Sequence, residues 1–214
     1  MLLGMAQPAY DLAAPAAVTE ERRHDDLIVL QGVSWADYQR LLEIRGDRSV
    51  PRFTYLEGVL ELMSPSHLHD FVKSALGRLV EAWCFENGVD FTPVGSWTLE
   101  SKEAQRGVEP DECYCLGENA GREAPERPDL AIEVVCTTGA ISKLDVYSKL
   151  GVPEVWIWKK GAITLHALRG DHYDPIERSE LLPQLNLEHL LEFVPTRPVS
   201  LAVREYRAAL ARER

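Results

Sequence analysis

Glu133 is an acidic residue inside a short stretch that otherwise favours a buried β-strand. The stretch from Arg127 to Val135 has the sequence Arg-Pro-Asp-Leu-Ala-Ile-Glu-Val-Val, in which mostly apolar or β-branched residues follow an early proline. This composition is typical of a buried strand. An ionised carboxylate in such a place is costly unless a cation or several hydrogen-bond donors meet it. The fold must therefore supply partners for the charge of Glu133.

A second predicted strand, from Asp111 to Leu116, also begins with the dipeptide Pro-Asp. Side chains alternate across a strand, so every second residue from Asp129 to Val135 shares the face of Glu133. The residues between them are apolar and point to the opposite face: Leu130, Ile132 and Val134. If the two strands are neighbours, Asp111 and Glu133 can point into one site, and the rest of the chain serves to hold this pair of acids.

The length and composition fit one globular domain. With 214 residues and 45% hydrophobic content, the chain can bury one proper core and has little left for a second domain. No apolar run approaches the length of a membrane span. The opening segment, Met1 to Ala6, lacks the basic start and long apolar core of a signal peptide. We therefore expect a cytoplasmic protein with no membrane partner.

The cysteines support the same compartment. Their spacing is neither that of a secreted disulfide framework nor that of a structural zinc site: Cys84, Cys113, Cys115 and Cys136. We expect reduced thiols, as is usual in the cytoplasm.

The net charge of −11 limits the class of partner. It argues against a broad basic surface, and therefore against strong non-specific binding of nucleic acid. A local basic patch is still compatible with this charge, because a net charge does not describe its distribution. Any binding of DNA is therefore expected to be weak or confined to such a patch.

The order of the predicted elements indicates an α/β domain. Residues 1–25 are rich in alanine, proline and charge, and we expect a mobile arm there. Residues 26–214 form the single domain, with a mixed sheet and one long helix packed on it. Helices are predicted at 34–46, 66–88, 142–150, 186–193 and 199–211. Strands are predicted at 53–56, 59–63, 91–99, 111–116, 129–135, 155–158 and 163–168.

The two acids suggest a site for a hard metal ion. Asp111 and Glu133 offer oxygen donors, which suit Mg²⁺ or Mn²⁺ better than zinc, and the peptide carbonyl of Val134 is a further candidate ligand. An ion held there can polarise a phosphodiester and generate a hydroxide nucleophile. Lys143, in the first turn of the following helix, is the nearest lysine that could stabilise developing charge. Alternatively, Asp111 only opens a strand and Glu133 pairs with a cation in the core.

His69, in the first turn of the long predicted helix, has two interpretations. A histidine near a helix start is usually a cap partner or a surface residue, but it can also serve a site. A thiol hydrolase built on Cys136 and His69 is a separate hypothesis, which needs a base within reach and a lowered thiol pKa.

Several motifs, in a fixed order from Tyr55 to Phe193, are similar to those of a known family. They are Glu57-Gly58-Val59-Leu60-Glu61-Leu62-Met63-Ser64-Pro65, His69, Val108-Glu109-Pro110-Asp111, Pro128-Asp129-Leu130-Ala131-Ile132-Glu133-Val134, Lys143, Tyr147 and Gly151-Val152-Pro153-Glu154-Val155-Trp156. With these motifs the chain resembles the Uma2 family of restriction-endonuclease-like proteins, within the PD-(D/E)XK nuclease superfamily.

The resemblance implies a restriction-endonuclease-like core, with a mixed sheet flanked by helices. It also implies Asp111 and Glu133 as ligands of Mg²⁺ or Mn²⁺, Lys143 as a displaced catalytic lysine, and His69 facing the site. The chain departs from the family in the turn after Glu133. The sequence there is Cys136-Thr137-Thr138-Gly139 instead of a Ser-Pro-Ser-Thr-like sequence. The loop between Glu133 and Lys143 is also shorter than in the family, by about the number of residues in one helical turn.

Two functional hypotheses follow. The first is a divalent-metal-dependent endonuclease that hydrolyses DNA phosphodiester bonds, either alone or as a homodimer. The alternative is a non-catalytic binding or regulatory module that retains the nuclease core. The shortened loop and the acidic composition favour this alternative.

Overall fold

Two β-sheets and five α-helices make up most of the fold in the computed structural model, which describes residues 24–95 and 97–213. The strands are β1 (Asp26–Gln31), β2 (Arg52–Leu56), β3 (Val59–Ser64), β4 (Phe91–Pro93), β5 (Leu99–Ser101), β6 (Arg106–Val108), β7 (Glu112–Leu116), β8 (Leu130–Val134), β9 (Glu154–Lys159), β10 (Ala162–Arg169) and β11 (His172–Ile176). The helices are α1 (Trp35–Arg45), α2 (His67–Asn87), α3 (Lys143–Leu150), α4 (Leu187–Phe193) and α5 (Val199–Glu213). Among the described residues, no helix has both the length and the apolar character that crossing a membrane requires.

The two sheets differ in type. One has the strand order β1-β3-β2-β6-β5 and is antiparallel throughout. The other has the order β11-β10-β9-β8-β7-β4 and is mixed, because β8 and β9 run parallel while its other pairs are antiparallel. The prediction of an α/β fold with a mixed sheet flanked by helices is confirmed. The structure adds the second sheet, including β1, β5 and β6, which the sequence analysis did not anticipate.

The strand predicted over residues 91–99 is wrong in its second half. β4 ends at Pro93, and the chain then turns, with the N–H of Trp97 donating to the carbonyl of Val94 at 3.1 Å. Leu99 opens β5, which belongs to the other sheet. The apolar residues of this stretch are therefore shared between two sheets, although their pattern resembles one continuous strand.

Helix α2 is bounded by the caps that its sequence predicts. The Ser66 hydroxyl accepts a hydrogen bond from the N–H of His69 at 3.1 Å, and Gly88 ends the helix with a φ of 67°. Its apolar stripe packs in one buried cluster with the β8 residues Leu130 and Ile132. The cap also fixes His69 in the first turn, directly beside the end of β8.

Helix α3 covers the opposite face of β8. Ala131 of that strand shares a buried cluster with Tyr147 of α3 and with Cys113 and Val155 of the two neighbouring strands. The alternation predicted for β8 is therefore confirmed, with one face toward α2 and the other toward α3. Because Glu133 is two residues from Ala131, its side chain lies on the α3 side.

Gly107 of β6 lies against Tyr38 of helix α1, with no space for a Cβ atom. A Cβ atom at Gly107 would lie 2.3 Å from the hydroxyl oxygen of Tyr38, whose ring stacks on that of Tyr55. We expect Gly107→Ala to destabilise the protein by about 1–3 kcal/mol through overpacking, as measured by chemical denaturation. Gly121→Ala is the matched control, because a Cβ at Gly121 would meet no atom within 4 Å. Equal denaturation midpoints for the two variants would contradict the prediction.

Candidate active site

Asp111 immediately precedes β7, and both oxygens of its carboxylate have hydrogen-bond partners. Its Oδ2 accepts from the N–H of Val134 at 2.8 Å, which ties the start of β7 to the end of β8. Its Oδ1 accepts from Arg52 at 2.8 Å and faces the Nε2 atom of His69 at 2.9 Å. Burial alone would raise the Asp111 pKa, but the hydrogen bond from His69 and the positive charges of His69 and Arg52 outweigh it and lower the pKa. Asp111 is therefore ionised.

Glu133 is almost fully buried, with 3% of its surface exposed, and it has two partners from helix α3. The Tyr147 hydroxyl donates to its Oε1, and the ammonium of Lys143 lies 3.4 Å from its Oε2. Burial raises the Glu133 pKa; the negative charge of Asp111 acts in the same direction, whereas Lys143 and Tyr147 oppose it. Glu133 is thus the more easily protonated of the two acids.

Lys143 reaches the acids despite the shortened loop. It is the first residue of α3, and the preceding Ser142 caps the helix by accepting from the N–H of Asp145 at 3.3 Å. Lys143 and Tyr147 are four residues apart, so one helical face presents both side chains to Glu133. The structure therefore brings together the two acids and the lysine that the sequence analysis singled out.

His69 is completely buried between two carboxylates. Its Nε2 faces Asp111, as described, and its Nδ1 lies 3.3 Å from Asp25. Burial lowers the pKa of His69, but hydrogen bonds and charges from Asp111 and Asp25 outweigh it and raise the pKa to about 9. His69 is thus charged at neutral pH, and its position is neither a surface position nor that of a simple cap partner.

The sequence analysis did not identify Asp25 as a site residue and placed it at the end of a mobile arm. For Asp25 this placement is wrong. Its carboxylate accepts from the N–H groups of Ser66 at 2.9 Å and Thr137 at 3.3 Å, and only 7% of the residue is exposed. Its own N–H donates to the Thr137 hydroxyl at 2.8 Å. These bonds hold Asp25 against α2 and the loop after β8. Residues 1–23 of the predicted arm lie outside the described part of the chain.

Two further buried charged residues were missed. Arg52, at the start of β2, donates to the carbonyl of Pro110 at 2.8 Å as well as to Asp111. Glu61, in the middle of β3, accepts from the N–H of Ala140 at 2.7 Å. Glu61 carries the same signal as Glu133, an acid inside an apolar strand sequence, and could have been found by it. Arg52 has no comparable signal, because an arginine at a strand start is usually exposed.

These side chains surround a cavity of about 260 Å³. The residues that line it come from β1, β2, β3, the end of β8, the following turn, α3 and β9. The charged ones are Asp25, Arg52, Glu61, Glu133, Lys143 and Lys159. Asp111 and His69 lie behind this lining. Three acids and three bases therefore share the wall of one cavity.

The sequence that forms this site matches a known family. Residues 35–203 match the sequence model of Uma2, a family described as "putative restriction endonuclease". The chain belongs to the Uma2 family. The match contains Asp111, Glu133, Lys143 and His69, but Asp25 lies outside it. A search among curated proteins gave no match.

The acids of this Uma2 protein retain room for a metal ion. A carboxylate oxygen offers about two acceptor directions. Among the described residues, Asp111 Oδ2 uses one direction for Val134, Glu133 Oε1 uses one for Tyr147, and Glu133 Oε2 has Lys143 as its neighbour. Each of these oxygens can therefore accept one more partner. The donor set is all oxygen, which fits a hard ion such as Mg²⁺ or Mn²⁺.

The thiol hydrolase hypothesis is not supported by the site of this Uma2 protein. Burial raises the pKa of the Cys136 thiol, and the negative charge of Asp25 raises it further. A nucleophilic cysteine needs the opposite shift. The four cysteines all lie among the described residues and are unbridged there.

His69 gives the metal-free Uma2 protein a specific pH dependence. Folding raises the pKa of His69 from 6.5 to about 9. The protonated imidazole therefore contributes its full stabilisation of the folded state below pH 6.5, and this contribution disappears as the pH rises through 9. We expect wild type to lose up to about 3 kcal/mol more stability than His69→Gln between pH 7 and pH 10. Urea denaturation of both proteins in chelator at the two pH values measures this. Parallel losses in the two proteins would show that His69 is not charged in the folded state.

Proposed function

We propose that this Uma2 protein is an endonuclease that depends on a divalent metal ion and hydrolyses DNA phosphodiester bonds. One observation carries the proposal: Glu133 and Lys143 line a cavity, and buried Asp111, at the start of the neighbouring strand, lies directly behind them. Asp111, Glu133 and the carbonyl oxygen of Val134 would hold Mg²⁺ or Mn²⁺. When bound, such an ion would polarise the phosphodiester and lower the pKa of a water molecule.

The chain's own residues would orient these groups. Arg52 and His69 keep Asp111 ionised and fix its Oδ1, and the N–H of Val134 fixes its Oδ2. Tyr147 fixes Oε1 of Glu133. The Lys143 ammonium, with 19% of its side chain exposed, is free to turn from Glu133 toward a phosphate oxygen. There it would stabilise the charge that develops as the phosphodiester reacts.

Binding of DNA would be local. Arg52, Lys143 and Lys159 line the cavity, whereas the whole chain carries a net charge of −11. A few phosphate contacts give weak, salt-sensitive affinity. A homodimer would extend the surface that contacts DNA.

The free thiols of this chain fit a cytoplasmic location.

Cleavage assays test the proposal directly. Single-stranded and double-stranded DNA are incubated with wild type and with Asp111→Ala in Mg²⁺ and in Mn²⁺, and Asp70→Ala serves as a control that removes an exposed acid one residue from His69. We expect metal-dependent cleavage by wild type and Asp70→Ala only. Equal activity in wild type and Asp111→Ala would refute the assignment.

The non-catalytic alternative has one observation in its favour. Arg52, His69 and Lys143 already balance the charges of Asp111 and Glu133, so the folded site does not require an ion. Calorimetric titration with Mn²⁺ separates the two hypotheses. Metal binding that is lost in Glu133→Gln favours the nuclease, and the absence of binding in wild type favours a binding or regulatory module.

A further inference from the structure

A second group of metal-ligand side chains lies on the far side of His69 from Asp111. Donor atoms of Asp25, His69 and Cys136 all lie within 4.8 Å of one another. Asp25 and His69 are buried, and Cys136 is half-buried. The Mg²⁺ or Mn²⁺ position described above uses none of these three side chains.

The three residues come from separate elements that are firmly tied together. Asp25 immediately precedes β1, His69 lies in the first turn of α2, and Cys136 follows β8. The hydrogen bonds from Ser66 and Thr137 to the Asp25 carboxylate join all three elements. The donors are therefore placed by the fold before any ligand binds. His69 and Cys136 lie inside the range 35–203 that matches Uma2, but Asp25 lies outside it, so the complete set of three donors is not part of the family match.

The donor set selects a different kind of ion from that of the acid pair. A thiolate, an imidazole and a carboxylate suit Zn²⁺ and chemically similar ions, whereas Mg²⁺ prefers oxygen donors alone. Three protein ligands also leave a fourth tetrahedral position for water or a small ligand.

The surroundings of His69 match those of a metal-binding histidine. A histidine that binds a metal through one ring nitrogen usually has the other nitrogen hydrogen-bonded to a carboxylate or carbonyl, which fixes the tautomer. Here Nδ1 lies 3.3 Å from Asp25, a member of the group, and Nε2 lies 2.9 Å from Asp111. Asp111 would thus orient the imidazole from behind.

We propose that Asp25, His69 and Cys136 bind a thiophilic divalent cation of the Zn²⁺ class, at a position separate from that of the hard ion. Binding replaces two protons, which pass to solvent: one from the Cys136 thiol and one from Nδ1 of the charged His69 imidazole. No oxidation state changes. The bound cation takes over the role of the His69 charge beside Asp25.

Co²⁺ is the probe that tests this site, because a cobalt–thiolate bond gives a charge-transfer absorption band in the near ultraviolet. The full chain, reduced and metal-free, is titrated with Co²⁺. We expect saturation at one thiolate-bound ion per chain, displacement by Zn²⁺, loss of the band in Cys136→Ser and at least about tenfold weaker binding in Asp25→Asn. Cys84→Ala is the matched control, because it removes a buried thiol of helix α2 and should keep the band.

Two results would overturn the proposal: no thiolate band in wild type at saturating Co²⁺, or an undiminished band in Cys136→Ser. If Cys136→Ser fails to fold, as judged by circular dichroism, the Asp25→Asn titration decides instead, and unchanged affinity there refutes the site. Glu133→Gln separates this proposal from the nuclease assignment. This variant lacks a proposed ligand of the hard ion, but it should keep the cobalt–thiolate band. Loss of the band in Glu133→Gln would show that the two metal positions are not separate.

Discussion

Glu133→Gln is expected to abolish the stabilisation by Mn²⁺ and to reduce metal-dependent cleavage by at least about 10²-fold, while the metal-free protein changes in stability by no more than about 1 kcal/mol. The substitution removes a buried negative charge near Asp111 at nearly constant shape. Its amide oxygen can still accept from Tyr147, and Lys143, which is partly exposed, can turn to solvent. Thermal melts with and without Mn²⁺, together with a cleavage assay, measure both effects.

The same experiment has a pH arm. Because burial and Asp111 raise the Glu133 pKa, protons compete with the metal as the pH falls, and the Mn²⁺-dependent gain in wild type should shrink toward about pH 5. Glu112→Gln is the control, since Glu112 is a neighbouring acid of β7 that lies near Lys73. Strong destabilisation of metal-free Glu133→Gln would mean that Glu133 is a structural ion-pair partner and that the metal position is misplaced.

Lys143→Met is expected to lower kcat by about 10²–10³-fold and to leave Mn²⁺ binding intact or slightly stronger. The Lys143 ammonium is needed only when charge develops on the phosphate. In its absence, the metal ion no longer competes with a lysine for the Glu133 carboxylate. Single-turnover cleavage rates and calorimetry separate the two effects.

Lys149→Met provides the matched control for this variant. Lys149 lies on the same helix, but it is more exposed and its ammonium lies 3.3 Å from Asp171. Similar losses of activity in both lysine variants would indicate a general disturbance of α3. Full activity in Lys143→Met would remove Lys143 from the catalytic group.

The acid pair could be predicted because its signals are local. A carboxylate inside an apolar strand sequence is visible in a few residues, and strand alternation then gives the face on which it lies. The shared site depended on the condition that the two strands opening with Pro-Asp are neighbours, and β7 and β8 are indeed paired. The caps of α2 at Ser66 and Gly88 were equally visible in the sequence.

The rest of the site depends on contacts between distant segments. The reach of Lys143 depends on the path of the turn after β8, which no local pattern specifies. Asp25 lies 44 residues from its partner His69, at the end of a charged stretch that resembles an arm. Strands β5 and β6 have only three residues each, too few to show alternation, so the sheet that contains them was not anticipated.

The position of Asp25 has a practical consequence for anyone who trims this protein to its family boundary. A chain that began at residue 35 would lose Asp25 together with all of β1, which pairs with β3 from Asp26 to Gln31. His69 would then keep one carboxylate neighbour instead of two, and the N–H of Ser66 would lose its acceptor. Such a fragment could retain the motifs that match the family and still lack part of the site, and a negative result in a metal-binding or DNA-cleavage assay would then be a result of truncation.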